Sequence, residues 1–143
     1  MNKDQDLLRL ISRLKGLQKS VTPVEGLTGS ESSVVEILLG REEEALPGAK
    51  INELANELNV TSPGVTQLVT GLERKGFVQR TMDQADRRSV NVLLTDEGRA
   101  IAQRAKERRQ AMLQTMESRM GREKVNRLFT LLNEAVEMAS AAR

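Results

Sequence analysis

The chain has 143 residues, enough for one domain with a sizeable core. Its formal net charge is only +2, so the overall charge says little about a nucleic-acid partner and the distribution of charge matters more. It contains no Cys and no His, which excludes disulfides, thiol redox sensing and thiolate metal sites, and removes the commonest general base and zinc ligand.

Nothing in the sequence predicts secretion, a membrane span or catalysis. Asp4 and Asp6 precede the first leucines and no long apolar run follows them, so the cytoplasm is the expected compartment. The chain has neither a phosphate-binding glycine loop nor a cluster of metal-ligand side chains. We therefore expect no catalytic residues, no metal site and no cofactor, and we do not expect an enzyme.

An amphipathic helix is predicted near the N-terminal end. Its apolar positions recur at helical spacing, and they are Leu7, Leu10, Ile11, Leu14 and Leu17. Either this stripe packs on its own domain or it packs against a second subunit, and the stripe alone leaves both interpretations open.

A second helix is predicted from Thr28, after a connector at 22–26. Thr28 and Glu31 have the spacing of a capping box, in which each side chain accepts a hydrogen bond from the other residue's backbone N–H. The segment that follows is rich in apolar residues, which suits a helix buried in the middle of the fold. Residues 40–48, with an acidic run at 42–44, are expected to form a solvated loop.

Two short helices joined by a tight turn are predicted next. The first carries apolar residues at the spacing of one helix face, Ile51, Leu54, Ala55 and Leu58. Asn52 is its expected N-cap, and residues 59–61 form the turn.

The second of these helices is expected to begin with Thr61 or Ser62 as its N-cap and Pro63 in its first turn, and to end before Gly76. One of its faces is apolar and consists of Val65, Leu68, Val69 and Leu72. Its other face carries side chains that form hydrogen bonds. This is the pattern of a helix-turn-helix, whose second helix can lie in the major groove of DNA.

Residues 77–82 and 89–94 are predicted to form the two strands of a hairpin, since apolar and polar residues alternate along the second segment. The polar tip between them carries Arg87 and Arg88. A hairpin after a recognition helix makes a winged helix, and arginine suits both phosphates and a narrow minor groove. The alternative is a solubilising hairpin tip with no ligand.

A long helix is predicted after Thr95, which can cap it, and Gly121 separates it from a last helix. The terminal helices are more apolar than exposed helices tolerate, and a symmetric dimer would cover them. The long helix also carries a basic run, Arg99, Arg104, Lys106, Arg108 and Arg109. This run is either a solvated face, a partner for acids of a second subunit, or a source of positive field towards DNA.

The segment DQADRRSVNVLLTDEG resembles the wing signature of the MarR family of bacterial transcriptional regulators, which is D-x-x-D-R-R, a short strand and then L-T-x-x-G. The matching residues are Asp83, Asp86, Arg87, Arg88, Leu94, Thr95 and Gly98. The segment LANELNVTSPGVTQLVTGLERKGFV also resembles the helix pair of that family.

The resemblance implies a mainly α fold with a small β-hairpin wing, in which a winged helix-turn-helix core is combined with N- and C-terminal dimerisation helices. It implies a single MarR-like domain over residues 1–143. The DNA-binding lobe would take about 28–98, and the dimerisation helices about 1–22 and 99–143.

The implied function is a DNA-binding transcriptional regulator, a homodimeric repressor of an inverted-repeat operator in double-stranded DNA. Release by a small aromatic or phenolic effector is also implied, although the sequence does not indicate its pocket. The alternative is a winged-helix module that binds protein and has no specific DNA site. The near-zero net charge leaves room for this alternative.

Two sets of residues are expected to contact DNA. The recognition-helix set is Thr61, Ser62, Pro63, Gly64, Thr66, Gln67, Thr70 and Arg74. The wing set is Arg87 and Arg88, and the resemblance implies that Asp86 orients them. Two positions depart from the family pattern, because Gly64 replaces a common hydroxyl residue and Gln67 a frequent arginine. The alternative for Gln67 and Thr70 is ordinary exposed helix surface.

Overall fold

The computed structural model describes residues 2–21, 24–46, 48–83 and 85–142. This part of the chain contains six helices and a small three-stranded sheet, so the predicted mainly α architecture is confirmed. The elements in chain order are α1 (Lys3–Val21), α2 (Gly29–Glu43), β1 (Ala49–Lys50), α3 (Ile51–Leu58), α4 (Ser62–Arg74), β2 (Val78–Met82), β3 (Val90–Leu94), α5 (Asp96–Met120) and α6 (Arg122–Ala141).

The chain divides into two compact units, Met1–Arg108 and Arg109–Arg143, and the boundary falls inside α5. The predicted DNA-binding lobe at 28–98 lies wholly within the first unit. None of the helices in the described part of the chain combines the length and the hydropathy that a bilayer crossing demands.

The sheet is antiparallel with the order β1-β3-β2. Strands β2 and β3 form the predicted hairpin, with Val78 opposite Leu94 and Met82 opposite Val90. Strand β1 was not predicted from the sequence, and it adds a third strand by pairing Ala49 with Val92. A two-residue strand is too short to show an alternating pattern, so no local signal marks it.

The core of the first unit lies between α2, the helix-turn-helix and the sheet. Its largest fully buried side chains are Leu38, Leu54, Leu72, Val34, Val35, Val65, Val69 and Val92. The apolar faces predicted for α3 and α4 are thus the buried ones, and the polar face of α4 is left outside. Burial of one face of α4 therefore decides which residues are available to a ligand.

The helix ends follow the predicted capping residues with one exception. The capping box at the start of α2 is present, because Thr28 Oγ1 accepts from the Glu31 N–H at 3.1 Å and Glu31 Oε1 accepts from the Thr28 N–H at 2.9 Å. The prediction that Asn52 caps α3 is wrong. The N-cap position belongs to Lys50, and the Glu53 carboxylate reaches back to accept from its N–H at 3.0 Å.

The predicted solvated loop at 40–48 is also wrong in its first part, because α2 continues through Glu43. The acidic residues at its end are held by the start of α5. Glu42 pairs with Arg99 at 2.8 Å, and Glu43 pairs with Lys106 at 2.8 Å. Part of the basic run on α5 therefore pairs with acids of its own chain. The carboxylates of Glu42 and Asp96 raise the pKa of Arg99 above its ordinary value.

The motif L-T-x-x-G forms the junction between the end of the wing and α5. Thr95 Oγ1 donates to the Gly76 carbonyl at 2.6 Å and accepts from the Gly98 N–H at 3.0 Å, so Thr95 caps α5 as predicted. The Thr95 N–H donates to the Phe77 carbonyl at 3.1 Å. The α-carbon of Gly98 packs so closely on the Phe77 backbone that no side chain fits there.

Both terminal helices expose apolar side chains. On α1, Leu7 is 56% exposed and Leu10 52% exposed, and on α6, Phe129 is 43% exposed and Val136 60% exposed. The α1 stripe does not pack on its own domain, so that interpretation is wrong. Isolated helices of this kind need a covering surface to be stable in water.

Candidate nucleic-acid interface

Helix α4 presents the recognition-helix residues outward from a capped N-terminus. Thr61 is its N-cap, with Oγ1 accepting from the Gly64 N–H at 3.2 Å, and Pro63 lies in the first turn, as predicted. The exposed members of the set are Thr61, Ser62, Pro63, Thr66, Gln67 and Arg74. Gly64 and Thr70 are half-buried. A Cβ on residue 64 would lie 3.1 Å from the capping hydroxyl, which is a physical reason for glycine there.

Two threonines of this face already have hydrogen-bond partners. Thr66 Oγ1 donates to the Ser62 carbonyl one turn earlier at 3.0 Å. Thr70 Oγ1 accepts from Arg80 Nη2 at 2.9 Å. Gln67 is the exposed amide between them, and an amide offers a donor and an acceptor together, which suits the edge of adenine.

Arg80 ties strand β2 to the recognition helix, a role that no sequence pattern predicted. Its Nη1 lies 2.7 Å from Glu73 Oε1, and its backbone N–H donates to the other oxygen of that carboxylate at 3.3 Å. With the bond to Thr70, Arg80 holds two positions of α4 one turn apart. The wing and the recognition helix are therefore positioned relative to each other by a side chain as well as by the core.

The wing tip is organised by two aspartates that bind the backbone. Asp86 Oδ1 accepts from the Arg88 N–H at 3.0 Å, and Asp83 Oδ1 accepts from the Ala85 N–H at 3.0 Å. Asp86 thus shapes the main chain that carries the arginines. Both Arg87 and Arg88 are exposed, and neither guanidinium pairs with another side chain in the described ranges. The tip leaves two planar donors available to a partner.

A cleft joins the wing to the helix-turn-helix. It has a volume of about 440 Å³ and is lined by Lys50, Ile51, Asn52, Ser62, Arg88, Ser89 and Val90. Because Ser62 begins α4 and Arg88 lies at the wing tip, these two elements face the same side of the lobe. Neither Lys50 nor Asn52 was predicted to line a site, and Lys50 lies on β1, which carries no local signal. Lys50 Nζ lies 3.6 Å from Asp83 Oδ2.

The exit of the recognition helix is anchored by a second ion pair. Lys75 Nζ lies 2.6 Å from the buried Glu31 Oε1 and donates to the Gly26 carbonyl at 3.1 Å. Burial alone raises the pKa of Glu31, but hydrogen bonds from Lys75 and from the Thr28 N–H outweigh it and hold that pKa below its ordinary value of 4.5. Lys75 therefore ties the C-terminal end of α4 to the start of α2.

A second cavity lies beside this pair, with a volume of about 550 Å³ and a lining of Gly26, Leu27, Thr28, Lys75 and Phe77. Leu27 and Phe77 give it an apolar wall that is continuous with a small buried cluster, Val24, Ile101 and Ala105. Lys75 adds one cation. An apolar wall with a single polar anchor is the usual composition of a small-molecule site.

The family model and the most similar relatives of known function agree on one family. The model of the MarR family matches residues 44–90. The homoprotocatechuate degradative operon repressor of Escherichia coli is 28% identical over 95 residues, which are 66% of this chain and 64% of that protein. The HTH-type transcriptional repressor YetL of Bacillus subtilis (strain 168) is 31% identical over 106 residues, which are 69% of this chain and 62% of YetL. The chain spans slightly less than two thirds of the length of these relatives.

A solved structure agrees over almost the whole chain. The complex of S. aureus MepR with DNA matches with a TM-score of 0.77 at 24% identity, covering 94% of this chain and 96% of the MepR chain. At this identity the similarity bears on the fold. It confirms the winged-helix architecture that the wing and helix-pair motifs predicted.

Proposed function

The chain belongs to the MarR family, and from that premise we propose that it is a sequence-specific DNA-binding transcriptional regulator that acts as a homodimeric repressor. One observation carries the proposal. Ser62, at the start of α4, and Arg88, at the wing tip, line one cleft, so the exposed recognition helix and the exposed wing tip open on the same side. A single duplex can therefore contact the two elements together.

In this proposal α4 enters the major groove with its N-terminal end leading. Gln67 binds a base edge, Thr66 contributes its methyl group to a thymine contact, and Ser62 and Arg74 bind phosphates. The remaining residues of the set, Thr61, Pro63, Gly64 and Thr70, shape the surface of the helix that faces DNA. The wing places Arg87 or Arg88 in the adjacent minor groove, where the negative potential is strongest when the groove is narrow.

The dimer is proposed from the exposed apolar stripes of α1 and α6. Closed two-fold pairing covers both stripes and creates no open-ended assembly. It also places two recognition helices about one turn of DNA apart, roughly 34–36 Å. The operator is then an inverted repeat with half-sites about 10 bp apart. As a chromosomal repressor, the protein acts in the cytoplasm.

A small aromatic or phenolic effector is the last part of the proposal, and the cavity beside Lys75 and Phe77 is its site. The support is the apolar wall, the single cation and the contact of Lys75 with Glu31. An effector that binds Lys75 would shift the population of α4 positions, because Lys75 follows the last residue of that helix.

The function is tested by selecting bound duplexes from a random DNA pool with the purified protein. We expect an inverted repeat, and an affinity for it that falls with salt with a log–log slope near −7 if each subunit neutralises about four phosphates. The selection is repeated with a panel of phenolic acids, of which at least one should reduce recovery. Absence of enrichment, or binding without sequence preference, would favour the protein-binding module instead.

The dimer is tested by Leu132→Glu, which places a carboxylate on the apolar stripe of α6, where Leu132 is 42% exposed. In a two-fold interface the charge is buried twice, so the dissociation constant should rise by at least about 100-fold. Light scattering at micromolar concentration should then report a mass near the chain mass of 15.9 kDa.

Thr130→Glu is the matched control, because it adds the same charge on the polar face of α6. It should remain a dimer of twice the chain mass. A wild-type protein that is monomeric under these conditions, or a Leu132→Glu variant that stays dimeric, contradicts the proposed pairing surface.

A further inference from the structure

The cleft between the wing and the helix-turn-helix has the composition of an anion site. Two cations, Lys50 and Arg88, lie on its walls together with the neutral polar residues Asn52, Ser62 and Ser89. None of the described residues that line the cleft is acidic, although Asp83 pairs with Lys50 at 3.6 Å from outside the lining. Neutral amide and hydroxyl groups add hydrogen-bond donors without adding charge.

The geometry of duplex DNA requires a sugar-phosphate strand to pass over this cleft. A sugar-phosphate strand separates each major groove from the neighbouring minor groove. If α4 occupies the major groove and the wing the adjacent minor groove, one strand must cross the protein between them. Ser62 at the start of α4 and Arg88 at the wing tip border that crossing, and the cleft lies between the two.

We propose that the cleft seats backbone phosphates of this crossing strand and that Lys50 is a phosphate-binding residue, an inference that rests on the proposed function. Lys50 is well placed for this role. It pairs with Asn91 in the sheet, and its N–H is held by Glu53. The backbone is therefore rigid, while the side chain is 40% exposed and can reach a phosphate once it leaves Asp83.

The present partner of Lys50 is weak enough to be displaced. Its 3.6 Å separation from the Asp83 carboxylate is longer than a charge-assisted hydrogen bond, which is about 2.7–2.9 Å. Asp83 keeps a second function in the wing turn, because it accepts from the Ala85 N–H. The other nearby acid, Glu53, is engaged by Arg41 at 2.9 Å. Among the described residues, Asp83 is therefore the carboxylate that a phosphate must displace from the Lys50 ammonium, while the charge of Glu53 adds an attraction without an ion pair.

The experiment compares Lys50→Ala with Arg104→Ala, which removes the same charge from an exposed position on α5 outside the cleft. Affinity for the selected operator and for a scrambled duplex is measured across a salt series. Loss of one phosphate contact in each subunit should weaken both duplexes about tenfold and reduce the salt slope by roughly 1.8. Lys50→Arg should restore most of the affinity, and Arg104→Ala should change the slope much less.

A scan of the operator with single methylphosphonate substitutions locates the contact. Neutralising the phosphate in the cleft should weaken the wild type but not Lys50→Ala. Asp83→Asn, which keeps the oxygen that binds the Ala85 N–H, should strengthen binding about threefold. Wild-type binding with an unaffected Lys50→Ala variant overturns the inference alone, whereas failure of the wild type to bind DNA overturns the proposed function.

Discussion

Replacing Arg88 with alanine is expected to lower the affinity for the operator by roughly 100-fold, at about 1.4 kcal/mol for each of the two copies in a dimer. The reason is that Arg88 is exposed at the wing tip and its guanidinium has no partner among the described residues. Its N–H donors are therefore available to DNA. For the same reason the free energy of unfolding should not change. Alanine preserves the N–H that donates to Asp86.

Fluorescence anisotropy with labelled operator DNA measures this change, and thermal melting followed by circular dichroism confirms that the fold is intact. Arg88→Lys keeps the charge but not the planar fork, so it should recover only part of the affinity. Arg87→Ala tests which arginine of the pair enters the groove, because the residue in the minor groove should show the larger loss. Unchanged operator affinity in both alanine variants would mean that the wing does not bind DNA.

The parts of the fold that sequence predicts are those with local signals. The helix starts at Thr28, Thr61 and Thr95 follow from side-chain capping, which acts within three residues of the chain. The apolar face of α4 follows from helical spacing, and so does the exposure of the opposite face. Most of the candidate DNA-binding residues could therefore be identified before the structure was known.

The remainder depends on contacts between distant parts of the chain. Strand β1 forms only because β3 offers it an edge, and it brings Lys50 to the cleft. Arg80 is defined as a positioning residue by Glu73 and Thr70 on another element. Helix α2 continues to Glu43, within the predicted loop, where residues of α5 pair with its acids. Neither the composition of the chain nor the spacing of its residues predicts these pairings.

Gly98→Ala should destabilise the protein by more than about 3 kcal/mol, which is a large part of the stability of a domain of this size. A Cβ on residue 98 would overlap the Phe77 carbonyl oxygen and lie 2.7 Å from the carbonyl carbon. Both atoms belong to the backbone, so no rotamer change relieves the overlap. The chain would have to separate the start of α5 from the segment that links α4 to β2.

That separation also breaks the bonds that Thr95 makes at the junction. Its hydroxyl donates to the Gly76 carbonyl and its N–H to the Phe77 carbonyl. The threonine and the glycine of the L-T-x-x-G motif therefore stabilise the same junction between the end of the wing and α5. Loss of this junction frees both the wing and α5 from the Phe77 backbone. DNA affinity should therefore fall together with stability, although neither Thr95 nor Gly98 lines the cleft.

Urea denaturation followed by far-ultraviolet circular dichroism measures the effect, since the chain has no Trp or Tyr for fluorescence. Gly40→Ala is the matched control. Gly40 is also helical, but a Cβ there meets nothing within 4 Å, so alanine should be neutral or stabilising by up to about 1 kcal/mol. Both variants are compared at one protein concentration because dimerisation adds to apparent stability. If the Gly98→Ala variant unfolds at the same urea concentration as the wild type, the close packing of Gly98 on the Phe77 backbone does not contribute to stability.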